Sequence, residues 1–340
     1  MLLLRSWRMA AAGLVLAGAL TPAAAETRSV ADFYRGKTIH LLIGVGVGGE
    51  YDLQARLIAR HIGKHIPGSP NVVPQNMTGG GGLKMANYLF AMAARDGTYI
   101  GMLANNFPAI QAVGGQGVQF DAGQFRWLGT IAPTVETMAL WHTAGAKSID
   151  DVRQRELVAG ASGRGAITYN FPSMLNELLG TKFKIVTGYA GGNEINLAME
   201  RGEVQARNNT WSSWKATKPA WLAEKKITII AQAGPRAADL DAPSVEQLAR
   251  NADERQLIEL VVSGTQLGRP LATTPGVPDE RVKALRAAFD ATMKDPEFLA
   301  EAAKLNFEVA PVGGEAMQRI VEKVLSTPQP LAARAKHLLE

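Results

Sequence analysis

An α/β protein of two domains is the fold class this sequence predicts, on three observations. Short apolar runs alternate with stretches of helical periodicity, the pattern of strand–helix units. Several of those runs end in glycine-rich turns that lead straight into a helix. The chain has 340 residues, well beyond the usual domain of about 150. Hydrophobic residues make up 46% and charged residues 20%, which is ordinary globular composition and excludes a disordered chain. The absence of cysteine excludes disulfides, zinc–thiolate sites, thiol nucleophiles and a lipid-modified N-terminal cysteine. The net charge of +5 is dispersed, with no basic run longer than Lys225-Lys226, so no nucleic-acid partner is expected.

The first 25 residues read as a signal peptide rather than as part of the fold. Arg5 and Arg8 form a basic start, residues 9–20 are apolar and alanine-rich, and Ala23-Ala24-Ala25 offers a cleavage site before Glu26. The apolar stretch falls short of the roughly 20 residues a spanning helix needs. Cleavage after Ala25 and export of the mature chain are therefore expected.

Thr38-Ile39-His40-Leu41-Leu42-Ile43 is a compact run of the kind buried in a parallel sheet. Leu53, Leu57, Ile58 and Ile62 then recur at helical spacing. Asn71-Val72-Val73-Pro74 is a strand whose prolines place it near a sheet edge. A helix over 83–94 and a strand over 98–103 follow. Strands are expected over 157–159, 184–186, 204–206 and 227–231, and helices over 172–179 and 193–201. The last third is mainly helical. Val282, Leu285, Phe289 and Met293 share a face, Asp295-Pro296 caps a helix, and Gly313-Gly314 precedes another with Met317, Ile320, Val321 and Val324.

The glycine turns are the most informative feature. One comprises Gly44-Val45-Gly46-Val47-Gly48-Gly49-Glu50-Tyr51-Asp52, a second Gly160-Ala161-Ser162-Gly163-Arg164-Gly165, and a third Gly188-Tyr189-Ala190-Gly191-Gly192-Asn193. Glycine lets backbone N–H groups approach a ligand, and the following helix adds its positive end, so three such turns point to an anion site. A dinucleotide site does not follow, although Gly44, Gly46 and Gly49 satisfy G-x-G-x-x-G. That fold wants an acid about 20 residues on, and no Asp or Glu lies between Asp52 and Asp96. Ser162 lacks the final glycine of a nucleophile elbow, Arg164 standing in its place. His61 and His65 are spaced for a metal, but their place at a helix C-terminus fits the helix dipole as well. No catalytic constellation, cofactor site or metal site is expected.

In order along the chain, these segments resemble the tripartite tricarboxylate transporter receptors, the Bug-type periplasmic solute-binding proteins. Tyr34-Arg35-Gly36-Lys37-Thr38-Ile39 is similar to their first strand, Gly48-Gly49-Glu50-Tyr51-Asp52 to their G-G-x-x-D loop, and residues 76–82 to their N-x-x-G-A-G-G segment. Asp96-Gly97-Thr98-Tyr99 matches P-D-G-Y-T, and Ser162-Gly163-Arg164-Gly165-Ala166 resembles G-S-G-x-G-S. Thr187-Gly188-Tyr189-Ala190-Gly191-Gly192 resembles V-P-Y-K-G-G, residues 199–205 resemble L-x-x-G-x-V-D, and Thr274-Pro275-Gly276-Val277-Pro278 resembles P-A-G-T-P. Departures are the loss of prolines from the first loop, Glu50 in place of a small polar residue, Ala166 in place of serine and Ala190 in place of lysine.

The resemblance implies a type II periplasmic binding protein: two α/β domains with a ligand cleft between them, the first discontinuous (26–130 plus 234–340) and the second 131–233. It implies a receptor, not an enzyme, that captures a small organic acid and delivers it to the membrane subunits of a secondary transporter, working as a monomer. A periplasmic enzyme or a ligand sensor on the same scaffold is the alternative. Expected ligand-binding residues are Gly46, Val47, Gly48, Gly49, Glu50, Tyr51 and Asp52 from the first loop. Ser162, Gly163, Arg164 and Gly165 come from the second, and Tyr189, Gly191, Gly192 and Asn193 from the third. Arg207 and Asn209 complete the set. Arg164 and Arg207 are candidate forks for a carboxylate. Trp211 and Trp214 are read as core aromatics.

Overall fold

The computed structural model describes residues 29–339, so the expected signal segment 1–25 lies outside the described residues. The apolar runs become strands of two sheets. The first contains β1 (Thr38–Ile43), β2 (Asn71–Asn76), β3 (Tyr99–Met102), β4 (Arg126–Thr130), β10 (Leu271–Thr273) and β11 (Val312–Gly313), in the order β11-β4-β10-β3-β1-β2. The second contains β5 (Glu136–Trp141), β6 (Leu157–Gly160), β7 (Phe183–Val186), β8 (Ala206–Thr210) and β9 (Ile227–Ala233), in the order β7-β6-β8-β5-β9.

Strand β1 lies between β2 and β3 and is parallel to both. Its Ile39, Leu41 and Ile43 join one apolar core, and Leu42 joins the core on the opposite face. Burial on both faces explains why the run is continuously apolar instead of alternating. At the edge, β2 carries Pro74, where a missing N–H costs no ladder bond. In the second sheet β6 is parallel to β7 and β8, whereas β5 runs antiparallel to β8 and β9. Met138 and Leu140 pack with Phe171 and Met174 on one face, and Ala139 packs with Trp214 and Trp221 on the other.

Four strands were not legible in the sequence: β4, β5, β10 and β11. A fifth, expected over 204–206, begins at Ala206 and runs through Arg207-Asn208-Asn209 to Thr210. All five of its residues are buried, so its polar side chains are satisfied or exposed only within the protein. Such a strand has no hydrophobic alternation to betray it. The helices Ala252–Val261 and Gln329–Leu339 belong to the stretch 234–340 assigned by sequence to the first domain. Their apolar residues, among them Leu257, Ile258, Ala335 and Leu338, nevertheless pack into the core of the second sheet.

The chain passes from β4 to β5 and returns after β9. The two passages touch, with the Thr134 N–H donating to the Thr265 carbonyl at 2.8 Å. Between the sheets lies a cleft onto which the loops after β1 and β6 open.

Candidate functional site

Three helices start at this cleft: Glu50–Ile62, Ile167–Leu179 and Gly192–Glu200. Their N-cap residues are Gly49, Ala166 and Gly191, and no side chain caps any of the three. Each therefore presents free N–H groups and the positive end of its dipole. Gly49, Glu50, Ala166, Ile167, Gly191 and Gly192 all line a cavity of about 80 Å³ between the two sheets. Val45, Tyr51 and Ala104 supply apolar surface, and Ser162, Asn196, Asn208, Asn209 and Thr210 supply polar groups.

Strand β8 brings Arg207 to the same cavity, where the residue is 2% exposed. Its Nε donates to the Asn208 carbonyl at 3.0 Å, and its Nη1 donates to the Gly192 carbonyl at 2.5 Å and to Asn196 Oδ1 at 2.6 Å. The guanidinium lies 5.2 Å from the centre of the Trp214 ring. Among the described residues no carboxylate pairs with it and its Nη2 has no hydrogen-bond partner. Burial pushes its pKa down to about 9, which still leaves it charged at neutral pH. Glu136 and Glu194 attract it from outside salt-bridge distance, so a carboxylate in direct contact would add a charge-assisted bond that the guanidinium lacks.

The other cavity arginine is already matched. Arg269 donates from Nη2 to Glu50 Oε2 at 2.6 Å and from Nε at 3.1 Å, with the two side chains 5% and 2% exposed. Burial works against the Arg269 charge, yet the facing Glu50 and neighbouring groups raise its pKa on balance. Glu50 also accepts from Thr210 and Ser212, both at 2.5 Å, and from Gln54 at 3.1 Å. Its carboxylate is thus neutralised and bonded across the cleft, so it need not repel a bound anion. Glu136, at the start of β5, is 1% exposed and lines the cavity, and burial raises its pKa.

Of the residues singled out in the sequence, the structure brings Gly49, Glu50, Tyr51, Ser162, Gly191, Gly192, Arg207 and Asn209 to the cavity wall. Others lie off it. Val47 is 59% exposed on the outer side of its loop. Asp52 accepts from the Gly48 N–H at 3.0 Å, from Arg56 and from Asn76, an arrangement that ties the loop to its helix. Arg164 is directed onto the Tyr169 ring, 5.4 Å from its centre, and so is a poor fork for a cleft ligand. Gly46 and Gly163 make lobe-to-lobe contacts: the Gly46 N–H donates to the Ala190 carbonyl at 2.9 Å, and Gly163 abuts Gly81. Gly48 packs beside Asn193, Gly165 lies against Leu83, and Tyr189 is half-buried against the apolar cluster that contains Ile195. Trp214 is fully buried, and Trp211 donates to Asp239 at 2.8 Å.

Sequence reasoning missed Glu136, Asn196, Asn208, Thr210 and Arg269. None sits in a glycine turn, and Glu136 and Arg269 flank the passages between the sheets, where no local motif marks them. His61 and His65 find acids far away in the chain, Glu301 at 2.7 Å and Asp295 at 2.9 Å. His61, Asp295 and Glu297 approach one another closely enough to suggest a cation site. Lys64 already bridges Asp295 at 2.6 Å and Glu297 at 2.5 Å, so the protein supplies that cation itself.

Two α/β sheets enclose between them a small cavity that two arginines, two glutamates and several amides line, and solved structures share this fold. The periplasmic binding protein BugD superposes with a TM-score of 0.72 at 18% identity, over 88% of this chain and 97% of that one. The R. palustris protein Rpa4515 with adipate gives 0.68 at 20% identity, over 88% and 97%. MatC from Rhodopseudomonas palustris with bound malate gives 0.68 at 17% identity, over 87% and 99%. This chain has the two-domain α/β fold of these periplasmic binding proteins. No protein-family model and no curated protein matches its sequence.

Proposed function

We propose that the protein is an extracytoplasmic solute-binding receptor of the Bug type that captures a small organic acid between its lobes. It would then pass the acid to the membrane subunits of a tripartite tricarboxylate-type secondary transporter. Arg207 carries this reading: a buried cation that no carboxylate touches among the described residues, although Glu136 and Glu194 attract it from further off, placed beside the uncapped starts of the Glu50–Ile62 and Gly192–Glu200 helices. A carboxylate there gains a charged fork together with backbone N–H donors. Structural neighbours with adipate and malate support the ligand class, and the sequence of residues 1–25 supports export. Catalysis finds less support. Ser162 Oγ has the Thr168 hydroxyl at 3.3 Å for a neighbour, where a nucleophile would need a base.

A thermal-shift screen of the purified protein against mono-, di- and tricarboxylates tests the proposal. An acid at 100 times its dissociation constant stabilises the native state by about 2.7 kcal/mol, a readily visible rise in midpoint. The rise should disappear in Arg207→Gln. A flat response to every acid at millimolar concentration would remove the carboxylate reading.

A further inference from the structure

Among the described residues the chain crosses between the two sheets at three places. It leaves the first sheet after β4, through residues 131–135. After β9 it stays with the second, where Leu257, Ile258 and Val261 of the helix Ala252–Val261 pack in the core. The return comes at residues 263–270, pressed along the outgoing passage. There the Arg269 N–H donates to Thr130 Oγ1 at 3.0 Å, and a Cβ on Gly268 (φ +61°) would overlap the Ala132 carbonyl oxygen. The helix Gly314–Leu325 then rides on the first sheet, its Met317 and Val321 packed with Trp127 of β4 and Ala272 of β10. Ser326-Thr327-Pro328 leads out again to the helix Gln329–Leu339, whose Ala332, Ala335 and Leu338 lie in the second core. Arg334 of that helix reaches Asp253 at 3.1 Å, and Asn170 Nδ2 donates to the Leu338 carbonyl at 3.3 Å.

The start of the return passage is a partition between two spaces. On one side Asn106, Glu136 and Ile167 line the cavity and, behind it, a small crevice that Val262 and Thr265 close. On the other side Val262 and Thr265 line a groove of about 690 Å³, far larger than the cavity. Gln256 and Glu259 of the Ala252–Val261 helix form one wall of this groove, and Ile320 and Lys323 of the Gly314–Leu325 helix form the other. A helix close-packed on its sheet turns with that sheet as one body, so one wall belongs to each lobe. Gln256, Glu259 and Lys323 are exposed, which leaves the walls facing water and free to approach.

From this arrangement we infer that the groove is the recoil space of the hinge: it narrows as the cleft opens, and its width limits how far the lobes part. Rigid lobes that turn about a strip between two spaces cannot widen both at once. Bulk placed in the groove therefore holds the cleft shut from behind, without touching the cavity. The inference is independent of what the cleft binds and goes beyond the receptor reading above.

Distances between paired spin labels, read by double electron–electron resonance, decide the matter. The chain has no cysteine, so an introduced pair offers the only thiols to label. Val47→Cys with Leu197→Cys, both exposed and on opposite lobes, reads the cleft. Lys323→Cys with Gln256→Cys reads the groove. Gly163→Trp opens the cleft, because even a Cβ there would stand 2.8 Å from the Gly81 nitrogen. Gly191→Trp, where a Cβ would stand 3.0 Å from the Gly46 nitrogen, replaces it should that variant fail to fold. The expected result is a longer cleft distance together with a shorter groove distance. Adding Glu259→Trp and Lys323→Trp, one on each wall, to the opened protein should then shorten the cleft distance. The alanine pair Glu259→Ala and Lys323→Ala, which removes the same charges without adding bulk, should not. A groove distance that holds constant or lengthens as the cleft opens overturns the inference, as does a cleft that answers the tryptophan and alanine pairs alike. A cleft distance unmoved by either rim tryptophan overturns it too, since the lobes then do not turn.

Discussion

Replacing Glu50 by glutamine removes one negative charge from the middle of the cleft while keeping the shape of the side chain. In the structure that charge faces Arg269 at 2.6 Å, with both side chains at most 5% exposed. Two unit charges 4 Å apart attract by about 4 kcal/mol at an effective dielectric constant of about 20. Removing one partner of such a pair leaves the other buried and unmatched, at a typical cost of about 3–5 kcal/mol. Glutamine also converts one acceptor oxygen into a donor facing the hydroxyls of Thr210 and Ser212, the Arg269 guanidinium and the Gln54 amide. At least one of those donors must then go unpaired. Glu50→Gln should therefore destabilise the protein by about 4 kcal/mol, read from urea unfolding by linear extrapolation at constant slope. Adding Arg269→Met should recover much of the loss, since removing both ions of a buried pair is often near neutral. A loss below about 1 kcal/mol would refute the claim that Glu50 is the counter-ion of Arg269.

Two further predictions concern the loops on either side. Asp52 is held below the usual carboxylate range because its bonds to Arg56, to the Gly48 N–H and to Asn76 outweigh the burial that opposes them. Its stabilising contribution is complete above the unfolded-state value of about 3.9 and is lost as the pH falls through the lower folded-state value. Asp52→Asn should thus cost about 1–3 kcal/mol at pH 7 and show a shallower acid limb in pH-dependent melting; parallel curves would contradict this assignment. A Cβ on Gly163 would lie 2.8 Å from the Gly81 backbone nitrogen across the cleft. Gly163→Ala should hinder closure by about 1–3 kcal/mol, the usual cost of overpacking, and weaken ligand affinity about five- to hundredfold in calorimetry. Unchanged affinity would show that the two backbones separate without penalty.

Much of the fold could be read from the chain, and the reason is physical. Strand β1 is apolar on both faces, and the helix after it repeats leucine and isoleucine on one side, so local pattern and tertiary role agree. Where they disagree, reading fails. Strand β8 is Ala-Arg-Asn-Asn-Thr, a segment that looks like a loop because its burial rests on hydrogen bonds instead of apolar surface. The same mismatch hid half of the site. Arg207 and Asn209 drew notice as a possible fork and its neighbour, whereas Glu136, Asn208 and Arg269 acquire meaning only through partners 60 to 220 residues away, such as Glu50 for Arg269 (|i−j| = 219). Arg164 shows the converse error. Two flanking glycines give it room, but the nearby Tyr169 ring offers a closer apolar and electron-rich face.

The glycine turns have the form of cradles for an anion, and the contacts across the cleft give them a second task. Gly191 approaches the Gly46 nitrogen so closely that a Cβ would stand 3.0 Å away, and Gly81 has the same relation, at 2.9 Å, to the Ala166 side chain. Backbone therefore meets backbone from opposite lobes at two places on the rim of one small cavity. Side chains at those positions would hold the lobes apart and keep water between the helix starts and the ligand. Water there would screen the dipoles and the Arg207 charge, whose strength depends on a low local dielectric. Loss of a Cβ is thus what permits close approach, and under the proposed function close approach would let a few N–H groups and one arginine hold an acid. Ala166 fits the same logic: where the resemblance leads one to expect serine, a methyl group seals against Gly81, and the hydroxyl donor it replaces is one the drier cleft can do without.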